Sequence, residues 1–208
     1  MTSGARFITL EGGEGVGKST QLKALAAALA ARGLDVVTTR EPGGSPGAEA
    51  IRGLLLDGPD EGWGPEAEAL LFAAARTDHL DKIIRPALEA GKWVLSDRFV
   101  DSSLAYQGVA GGLGLDAVRH INAFGIGDHF PDRTLVLIAA EGADRARARD
   151  TAGADRIGRR SAEYHASVEQ GFRTIAAAEP DRVRLIDASG TPEEVTARLL
   201  AALADLLP

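Results

Sequence analysis

The sequence predicts an α/β fold in which a five-stranded parallel sheet is flanked by helices. Three observations support this prediction. Short apolar or β-branched runs alternate along the chain with Ala-, Leu- and Glu-rich stretches of helical periodicity. A glycine-rich turn follows the first apolar run and leads directly into a helical stretch. The 208 residues, 45% of them hydrophobic, are enough for one domain with a sizeable core, so we expect residues 1–208 to form a single domain.

Five apolar runs predict the strands, at residues 7–10, 36–38, 93–95, 134–138 and 183–186. Strands that alternate with helices form βαβ units, and such units make a parallel sheet with helices on both faces. The helical stretches include residues 20–32, 65–90 and 163–178.

The end of the chain predicts a closing helix with Thr191 as its N-cap and Pro192 in its first turn, followed by Glu193 and Glu194. Glycine- and proline-rich patches predict loops at residues 41–47, 57–65 and 108–114.

Composition excludes several classes of protein. The chain has no cysteine, so neither a disulfide nor a thiolate metal site is possible. The net charge of -7 argues against a general nucleic-acid-binding protein, which needs a basic face. No signal-peptide pattern and no apolar run of the roughly 20 residues that a membrane span needs is found, so we expect a cytoplasmic protein that does not bind membranes.

The glycine-rich turn matches the phosphate-binding pattern G-x-x-x-x-G-K-[ST]. Glycines let backbone N–H groups turn towards phosphate oxygens at a helix N-terminus, where the helix dipole also favours an anion. Lys18 is expected to reach the β- and γ-phosphates of a nucleotide, and the Ser19 hydroxyl to ligate Mg²⁺. The predicted nucleotide-binding residues are Gly12, Gly13, Glu14, Gly15, Val16, Gly17, Lys18, Ser19 and Thr20.

This motif predicts a P-loop NTPase fold but leaves the activity open, because GTPases, ATPase motors and small-molecule kinases share it. Asp97 and Arg98 follow a buried strand, at the sheet edge where ligands bind, and they suit Mg²⁺ and a phosphate respectively. Phe72 and Arg76 are four residues apart on one helix face, so a ring and a guanidinium can address the same ligand. Arg40 precedes a loop at the same edge.

The segments EGGEGVGKSTQ, TREPGG, LLFAAAR, SDRFVDSSLAYQG and RARARDTAGADRI, in this order and spacing, resemble those of the bacterial thymidylate kinases. The resemblance covers residues 6–205. It implies a homodimeric P-loop kinase that uses Mg²⁺ and transfers the γ-phosphoryl group of ATP to dTMP, giving ADP and dTDP.

The resemblance also implies roles for individual residues. Phe72 would stack on thymine, Arg76 would donate to a base carbonyl, and Ser103 would lie near the N3 edge of the base. Tyr106 would lie beneath the sugar and disfavour a 2′-hydroxyl, and Glu14 would contact the 3′-hydroxyl. Arg98 would hold the dTMP phosphate. The other expected substrate-binding residues are Arg40, Pro42, Arg52, Ser102 and Gln107.

An arginine-rich stretch at residues 143–160 corresponds in this family to a lid over the phosphates. Mobile arginines can stabilise the transferring phosphoryl group while they exclude water, so Arg147, Arg149 and Arg156 are expected to be catalytic together with Lys18 and Arg98. The lid looks slightly longer than is typical. The residue after Glu14 is Gly15, which resembles the type of thymidylate kinase whose catalytic arginines lie in the lid.

Two further readings remain open at this stage. Another nucleotide or nucleoside kinase would use the same fold with its pocket assigned to a different base. A guanine-nucleotide switch would need an Asn-Lys-x-Asp element after a late strand, and the sequence contains none.

Overall fold

A computed structural model describes residues 4–57, 62–139 and 155–208 of the chain. Five strands form one sheet, and every pairing between neighbouring strands is parallel. The strands are β1 (Phe7–Gly12), β2 (Val36–Arg40), β3 (Trp93–Asp97), β4 (Arg133–Ile138) and β5 (Val183–Asp187). Their spatial order is β2-β3-β1-β4-β5. The predicted five-stranded parallel sheet is therefore confirmed.

The strand order places the functional end of the sheet. β1 is the central strand, with β3 and β2 on one side and β4 and β5 on the other. The strand order therefore reverses at β1. Leu10 of β1 pairs with Asp97 of β3, which pairs in turn with Arg40 of β2. Ligands of open α/β sheets bind at such a switch point, beyond the carboxyl ends of the strands.

Helices cover the sheet on both faces. Those of the described residues are α1 (Lys18–Ala30), α2 (Pro46–Leu56), α3 (Pro65–His79), α4 (Arg85–Glu89), α5 (Val100–Ser103), α6 (Leu115–Ile126), α7 (Ala162–Ala178) and α8 (Pro192–Ala201). π-Helical segments join α3 to α4 at Leu80–Ile84 and continue α5 as Leu104–Ala110. None of these helices is both long and apolar enough to cross a membrane.

The helix predictions differ from the structure in three places. The stretch predicted as one helix over 65–90 contains a π-helical turn, followed by α4 with Pro86 in its first turn. The loop predicted at 108–114 begins later, because the helical segment after α5 runs to Ala110. The loop predicted at 41–47 ends where α2 begins, at Pro46, with the Ser45 hydroxyl accepting from the Ala48 N–H as its N-cap.

Two apolar layers hold the helices on the sheet. On one face, Leu25 and Leu29 of α1 and Leu199 of α8 pack against Leu10 and the other core residues of that cluster. On the other face, Phe172 of α7 packs with residues of the segment that follows α5. Truncating such a buried phenylalanine to alanine typically costs about 3–5 kcal/mol. This packing fixes the position of α5 and its π-helical continuation, which carry several cleft residues.

The closing helix α8 begins as the sequence predicts. The Thr191 hydroxyl accepts from the Glu194 N–H, and the Glu194 carboxylate accepts from the Thr191 N–H, which makes a reciprocal capping box. Two orphan N–H groups of the first turn are satisfied in this way.

Candidate active site

The glycine-rich loop lies between β1 and α1. Gly12 has a φ of 129°, and a Cβ atom there would collide with the backbone carbonyl of Leu137 on the neighbouring strand. Gly17, the N-cap of α1, has a left-handed φ of 91°. Glycine carries no side chain to cap the helix, so the N–H groups of the first turn of α1 are available to a phosphate. Backbone sterics therefore explain two of the loop's glycines.

Lys18, the first residue of α1, is buried against the loop. Its Nζ atom donates to the carbonyl oxygens of Gly13 at 2.6 Å and Gly12 at 3.2 Å. Burial lowers the pKa of Lys18 to about 8, and the nearby positive charge of Arg98 acts in the same direction. A nucleotide phosphate would supply the negative charge that this ammonium group needs to remain protonated.

Ser19 and Asp97 bring two oxygen atoms together at the mouth of the loop. The Ser19 hydroxyl donates to Oδ2 of Asp97 at 3.0 Å, across the boundary between α1 and β3. A hydroxyl and a carboxylate are hard ligands of the kind that Mg²⁺ binds alongside substrate phosphates. Across the described ranges there is no group of three or more His, Cys, Asp or Glu residues that can hold a metal ion.

Arg98 adopts a conformation that is unusual for a residue with a side chain. Its φ is 74°, in the left-handed region. Its N–H donates to the Leu10 carbonyl at 3.0 Å, and its carbonyl accepts from the Ser96 hydroxyl at 2.7 Å. Such backbone strain costs on the order of 1–3 kcal/mol and is retained where the surroundings enforce it, often at active sites. The turn directs the Arg98 side chain towards the glycine-rich loop.

Four acceptors fix the Arg98 guanidinium. It donates to Glu14 at 2.7 Å, to the Gly12 carbonyl at 3.0 Å, and to the Ser102 and Tyr106 hydroxyls at 3.1 Å each. Burial alone would lower the pKa of Arg98, but the surrounding acidic groups raise it, so this group stays charged. Burial alone would raise the pKa of Glu14, and the charges of Arg98 and Lys18 reverse this effect, so the pKa of Glu14 lies below its usual value.

Glu11 is a fully buried carboxyl group behind this turn. It accepts from the Phe99 N–H at 2.8 Å and from the Ser102 hydroxyl at 2.5 Å, and it lies 4.0 Å from the Arg98 guanidinium. Burial raises its pKa to about 7, although the charge of Arg98 opposes this effect. The sequence analysis did not identify Glu11.

Arg76 is held by a second buried network. Its Nε–H donates to Glu41 at 2.8 Å, its Nη1 group donates to Ser103 and Asn122, and its Nη2 group donates to the Phe99 carbonyl. His79 contacts the other oxygen of Glu41 at 2.9 Å. These four acceptors occupy four of the five N–H bonds of Arg76, which leaves one for a ligand.

A cleft of about 430 Å³ collects most of the predicted residues. Its volume falls in the range of small-molecule sites. From the glycine-rich loop it is lined by Glu14, Gly15, Gly17, Lys18, Ser19 and Thr20. From the rest of the chain it is lined by Arg40, Pro42, Arg52, Phe72, Arg76, Asp97, Arg98, Ser102, Ser103, Tyr106 and Gln107.

Some predicted residues do not line the cleft, and two that do line it already have a hydrogen-bond partner within the protein. The backbone of Gly12 and Gly13 accepts from Lys18, and Val16 belongs to the apolar core. Arg40 pairs with Glu49 at 3.0 Å, and Arg52 donates to the Pro42 carbonyl at 2.7 Å.

Of the three predicted lid arginines, the structure describes Arg156. Arg147 and Arg149 lie outside the described residues. Arg156 is buried and pairs with Glu68 at 2.6 Å, while its neighbours Asp155 and Ile157 line the cleft. Arg160 pairs with the same carboxylate.

Sequence reasoning missed three glutamates near arginines of the site: Glu11, which lies 4.0 Å from Arg98, Glu41, which pairs with Arg76, and Glu68, which pairs with Arg156 and Arg160. Two of them adjoin recognised motifs, Glu11 directly before Gly12 and Glu41 directly after Arg40, and Glu68 lies four residues before Phe72 on α3. That helical spacing is the one signal that pointed to Glu68.

Comparisons with known proteins all point to one family. A family model described as thymidylate kinase matches residues 10–199. A thymidylate kinase of Rhizorhabdus wittichii is 62% identical over 205 residues, which cover 98% of this chain and 99% of that relative. A thymidylate kinase of Bradyrhizobium diazoefficiens is 50% identical over 98% of this chain and 91% of its own. The crystal structure of the thymidylate kinase from Ehrlichia chaffeensis superposes with a TM-score of 0.79 at 32% identity, over 96% of this chain and 98% of that one.

Proposed function

The chain belongs to the thymidylate kinase family, and from that premise we propose how its cleft uses ATP to convert dTMP into dTDP. One observation carries the proposal. The glycine-rich loop with Lys18 and the pair of Phe72 and Arg76 line the same cleft, and Arg98 reaches the loop through the Gly12 carbonyl. A phosphate held by Arg98 would therefore lie beside the phosphates held by the loop.

The loop residues Gly12 to Thr20 would bind the phosphates of ATP. The N–H groups at the N-terminus of α1 would donate to the phosphates, and Lys18 would move its ammonium group from the carbonyls of Gly12 and Gly13 to the β- and γ-phosphates. The lowered pKa of Lys18 supports this assignment, because a phosphate offers the buried ammonium group a stronger partner than two neutral carbonyls.

Ser19 and Asp97 fit a Mg²⁺ ion, since their oxygen atoms converge at 3.0 Å beside the loop. When bound, the ion would neutralise part of the phosphate charge. Ser19 would ligate it directly, and Asp97 directly or through water. The hydrogen bond between these two residues keeps both oxygens in place in the absence of the ion.

The nucleoside of dTMP would lie between α3 and the segment after α5. Phe72 would stack on the base, and the remaining N–H of Arg76 would donate to a base carbonyl while Ser103 lies beside it. Tyr106 would lie beneath the sugar, and Glu14 would accept from the 3′-hydroxyl. Gln107, Ser102, Pro42, Arg40 and Arg52 complete the proposed substrate site.

Arg98 would hold the dTMP phosphate in line with the γ-phosphate of ATP. The acceptor oxygen is already anionic, so the chain needs no general base, and its contribution is positioning and positive charge. Arg147, Arg149 and Arg156 remain our proposed lid arginines within residues 143–160. For Arg156 this role requires the guanidinium to exchange Glu68 for a phosphate, because Glu68 holds it in the described structure.

A coupled assay of ADP release tests the proposed function. The enzyme is given ATP and Mg²⁺ with dTMP, dUMP, dCMP, dGMP or AMP in separate reactions. We expect turnover with dTMP and weaker turnover with dUMP. Turnover confined to another monophosphate would overturn the assignment of the base pocket, and ADP release without any acceptor would overturn phosphoryl transfer to a nucleotide.

We also propose that the enzyme is a homodimer. Helix α3 packs against both α2 and α6, and α2, α3 and α6 each present an exposed apolar side chain, Leu54, Leu70 and Phe124 respectively. Phe124 is 100% exposed, which is costly for a phenylalanine unless a partner covers it. Sedimentation of Phe124→Glu beside the unchanged protein tests this proposal. We expect the unchanged protein to sediment as a dimer and Phe124→Glu as a monomer. Sedimentation of the unchanged protein as a monomer would contradict the proposed homodimer.

We also propose that the enzyme works in the cytoplasm, where ATP and dTMP are available.

A further inference from the structure

Glu68 forms the centre of a buried polar cluster at the edge of the cleft. Its Oε2 atom accepts from Nη2 of Arg156 and from Nη2 of Arg160, both at 2.6 Å, and its Oε1 atom accepts from Nε2 of Gln107 at 3.0 Å. The side chains of Glu68 and Arg156 are each 2% exposed. A group desolvated to this degree interacts strongly with the charges beside it.

The chemistry of Glu68 decides which end of the Gln107 amide faces the cleft. An ionised carboxylate can only accept hydrogen bonds, so Gln107 must present its NH₂ group to Glu68. Its carbonyl oxygen is then directed away from Glu68. Since Gln107 lines the cleft, this carbonyl is available to the nucleoside as an acceptor. A glutamine at position 68 could bind either the NH₂ group or the carbonyl oxygen of the Gln107 amide, because an amide both donates and accepts hydrogen bonds.

The same carboxylate balances two guanidinium groups. Arg156 also donates from Nε to the Leu55 carbonyl at 3.0 Å, and Arg160 donates to the Tyr164 hydroxyl at 2.6 Å. Without Glu68, the buried positive charge of Arg156 and the partly exposed positive charge of Arg160 would face each other with no carboxylate between them. Breaking one member of a buried ion pair is strongly destabilising for this reason.

We propose that Glu68 is a positioning residue for pyrimidine selection, acting through the amide of Gln107; this inference rests on the proposed function. A fixed acceptor suits the N3–H of thymine, which donates, and opposes N3 of cytosine, which has a lone pair. Glu68 itself does not line the cleft, so it selects the base only by fixing Gln107.

The test compares Glu68→Gln with the unchanged enzyme. Each protein is measured for the KM of dTMP, the KM of ATP, and the inhibition constant of dCMP against dTMP. We expect the dTMP KM to rise about tenfold, which is the loss of one hydrogen bond of about 1.4 kcal/mol. The inhibition constant of dCMP should stay constant or fall, since the free amide can turn its NH₂ group to cytosine. The ATP KM reports separately on the proposed lid residue Arg156, which Glu68 also holds, so the readout of the inference is the ratio of the dTMP KM to the dCMP inhibition constant.

Two further variants separate orientation from stability. Asp101→Asn removes an equally buried carboxylate that binds Arg182 at 2.7 and 2.8 Å outside the cleft lining, so it should lower stability without changing the ratio of the dTMP KM to the dCMP inhibition constant. Glu68→Gln combined with Arg160→Gln removes one of the two facing charges. It should regain stability over Glu68→Gln and keep the altered ratio, and it supplies the measurement if the single variant does not fold.

An unchanged ratio in both Glu68 variants would overturn the inference. An equal change of the ratio in Asp101→Asn would also overturn it, because the effect would then follow from stability alone. Absence of dTMP turnover in the unchanged enzyme would instead refute the proposed function, so the two failures are distinguishable.

Discussion

Replacing Glu11 with glutamine should make the protein more stable at neutral pH and less active. Glu11 is fully buried behind the strained turn of Arg98, where it accepts from the Phe99 N–H and the Ser102 hydroxyl. Glutamine is close in shape to the protonated carboxyl group and likewise offers an acceptor oxygen and a hydrogen-bond donor, with one N–H more. The variant therefore keeps the neutral form of this site at every pH.

The size of the effect follows from the pKa of Glu11. Burial raises this pKa from its ordinary value of 4.5 to about 7, so the folded state binds the proton more tightly than the unfolded chain does. The stability contributed by protonation is fully present below pH 4.5 and is lost as the pH rises through 7. The difference between the pKa of about 7 in the folded protein and 4.5 in the unfolded chain corresponds to about 3 kcal/mol of folding free energy. Glu11→Gln avoids this loss, so its stability relative to the unchanged protein should rise by about 3 kcal/mol between pH 4.5 and 8.

Urea unfolding of both proteins at pH 5, 6, 7 and 8 measures this difference, and other titrating groups cancel in the comparison. Glu14→Gln is the matched control with the opposite sign. The pKa of Glu14 lies below its ordinary value of 4.5, so the stability from its ionised form is already fully present at pH 5, and Glu14→Gln should be less stable than the unchanged protein by a constant amount from pH 5 to 8. A difference curve for Glu11→Gln that is flat or falls with pH would refute the reasoning. The kcat of Glu11→Gln should fall severalfold, since the negative charge 4.0 Å from Arg98 is lost.

Three other substitutions test the proposed roles in the cleft. Lys18→Ala should lower kcat by about 100-fold or more with an unchanged circular dichroism spectrum, and retained turnover would contradict its role at the phosphates. Phe72→Ala should raise the dTMP KM about tenfold or more through lost stacking, with the ATP KM as an internal control. Asp97→Asn should raise the Mg²⁺ concentration needed for half-maximal rate, and an unaltered Mg²⁺ titration would exclude Asp97 from the metal site.

The sheet was predictable from the sequence because each strand is a compact apolar run bounded by turn residues. All five predicted runs fall within strands, and the capping residues of α8 were read correctly from Thr191 and Glu194. Helix boundaries near glycine and proline were harder to predict. α2 begins with Pro46 and Gly47, which on their own indicate a loop, and its N-cap Ser45 is recognisable only once the helix is seen. The π-helical turns at Leu80–Ile84 and Leu104–Ala110 were not predicted, because such turns are rare and share the apolar periodicity of the helices beside them.

The cleft was predictable where a motif carries the chemistry. Lys18, Ser19 and Asp97 follow from the spacing of the glycine-rich loop and from the end of a buried strand. The positive φ of Arg98 could not be predicted, because no sequence rule assigns that conformation to an arginine. The pairing of Arg156 with Glu68 could not be predicted either, since the two residues are 88 positions apart in the sequence and the spacing of Glu68 from Phe72 says nothing about Arg156.

Carboxylates explain how an acidic protein can bind two anionic substrates. Four described arginines in or beside the cleft are held by glutamates, Arg98 by Glu14, Arg76 by Glu41, and Arg156 with Arg160 by Glu68. Each pair weakens the net attraction for a phosphate or a base, because the guanidinium already has a negative partner. In return the guanidinium is fixed before the substrate arrives, so binding spends little entropy on ordering it. For a reaction that depends on positioning, fixed orientation contributes more to the rate than a larger net positive charge would.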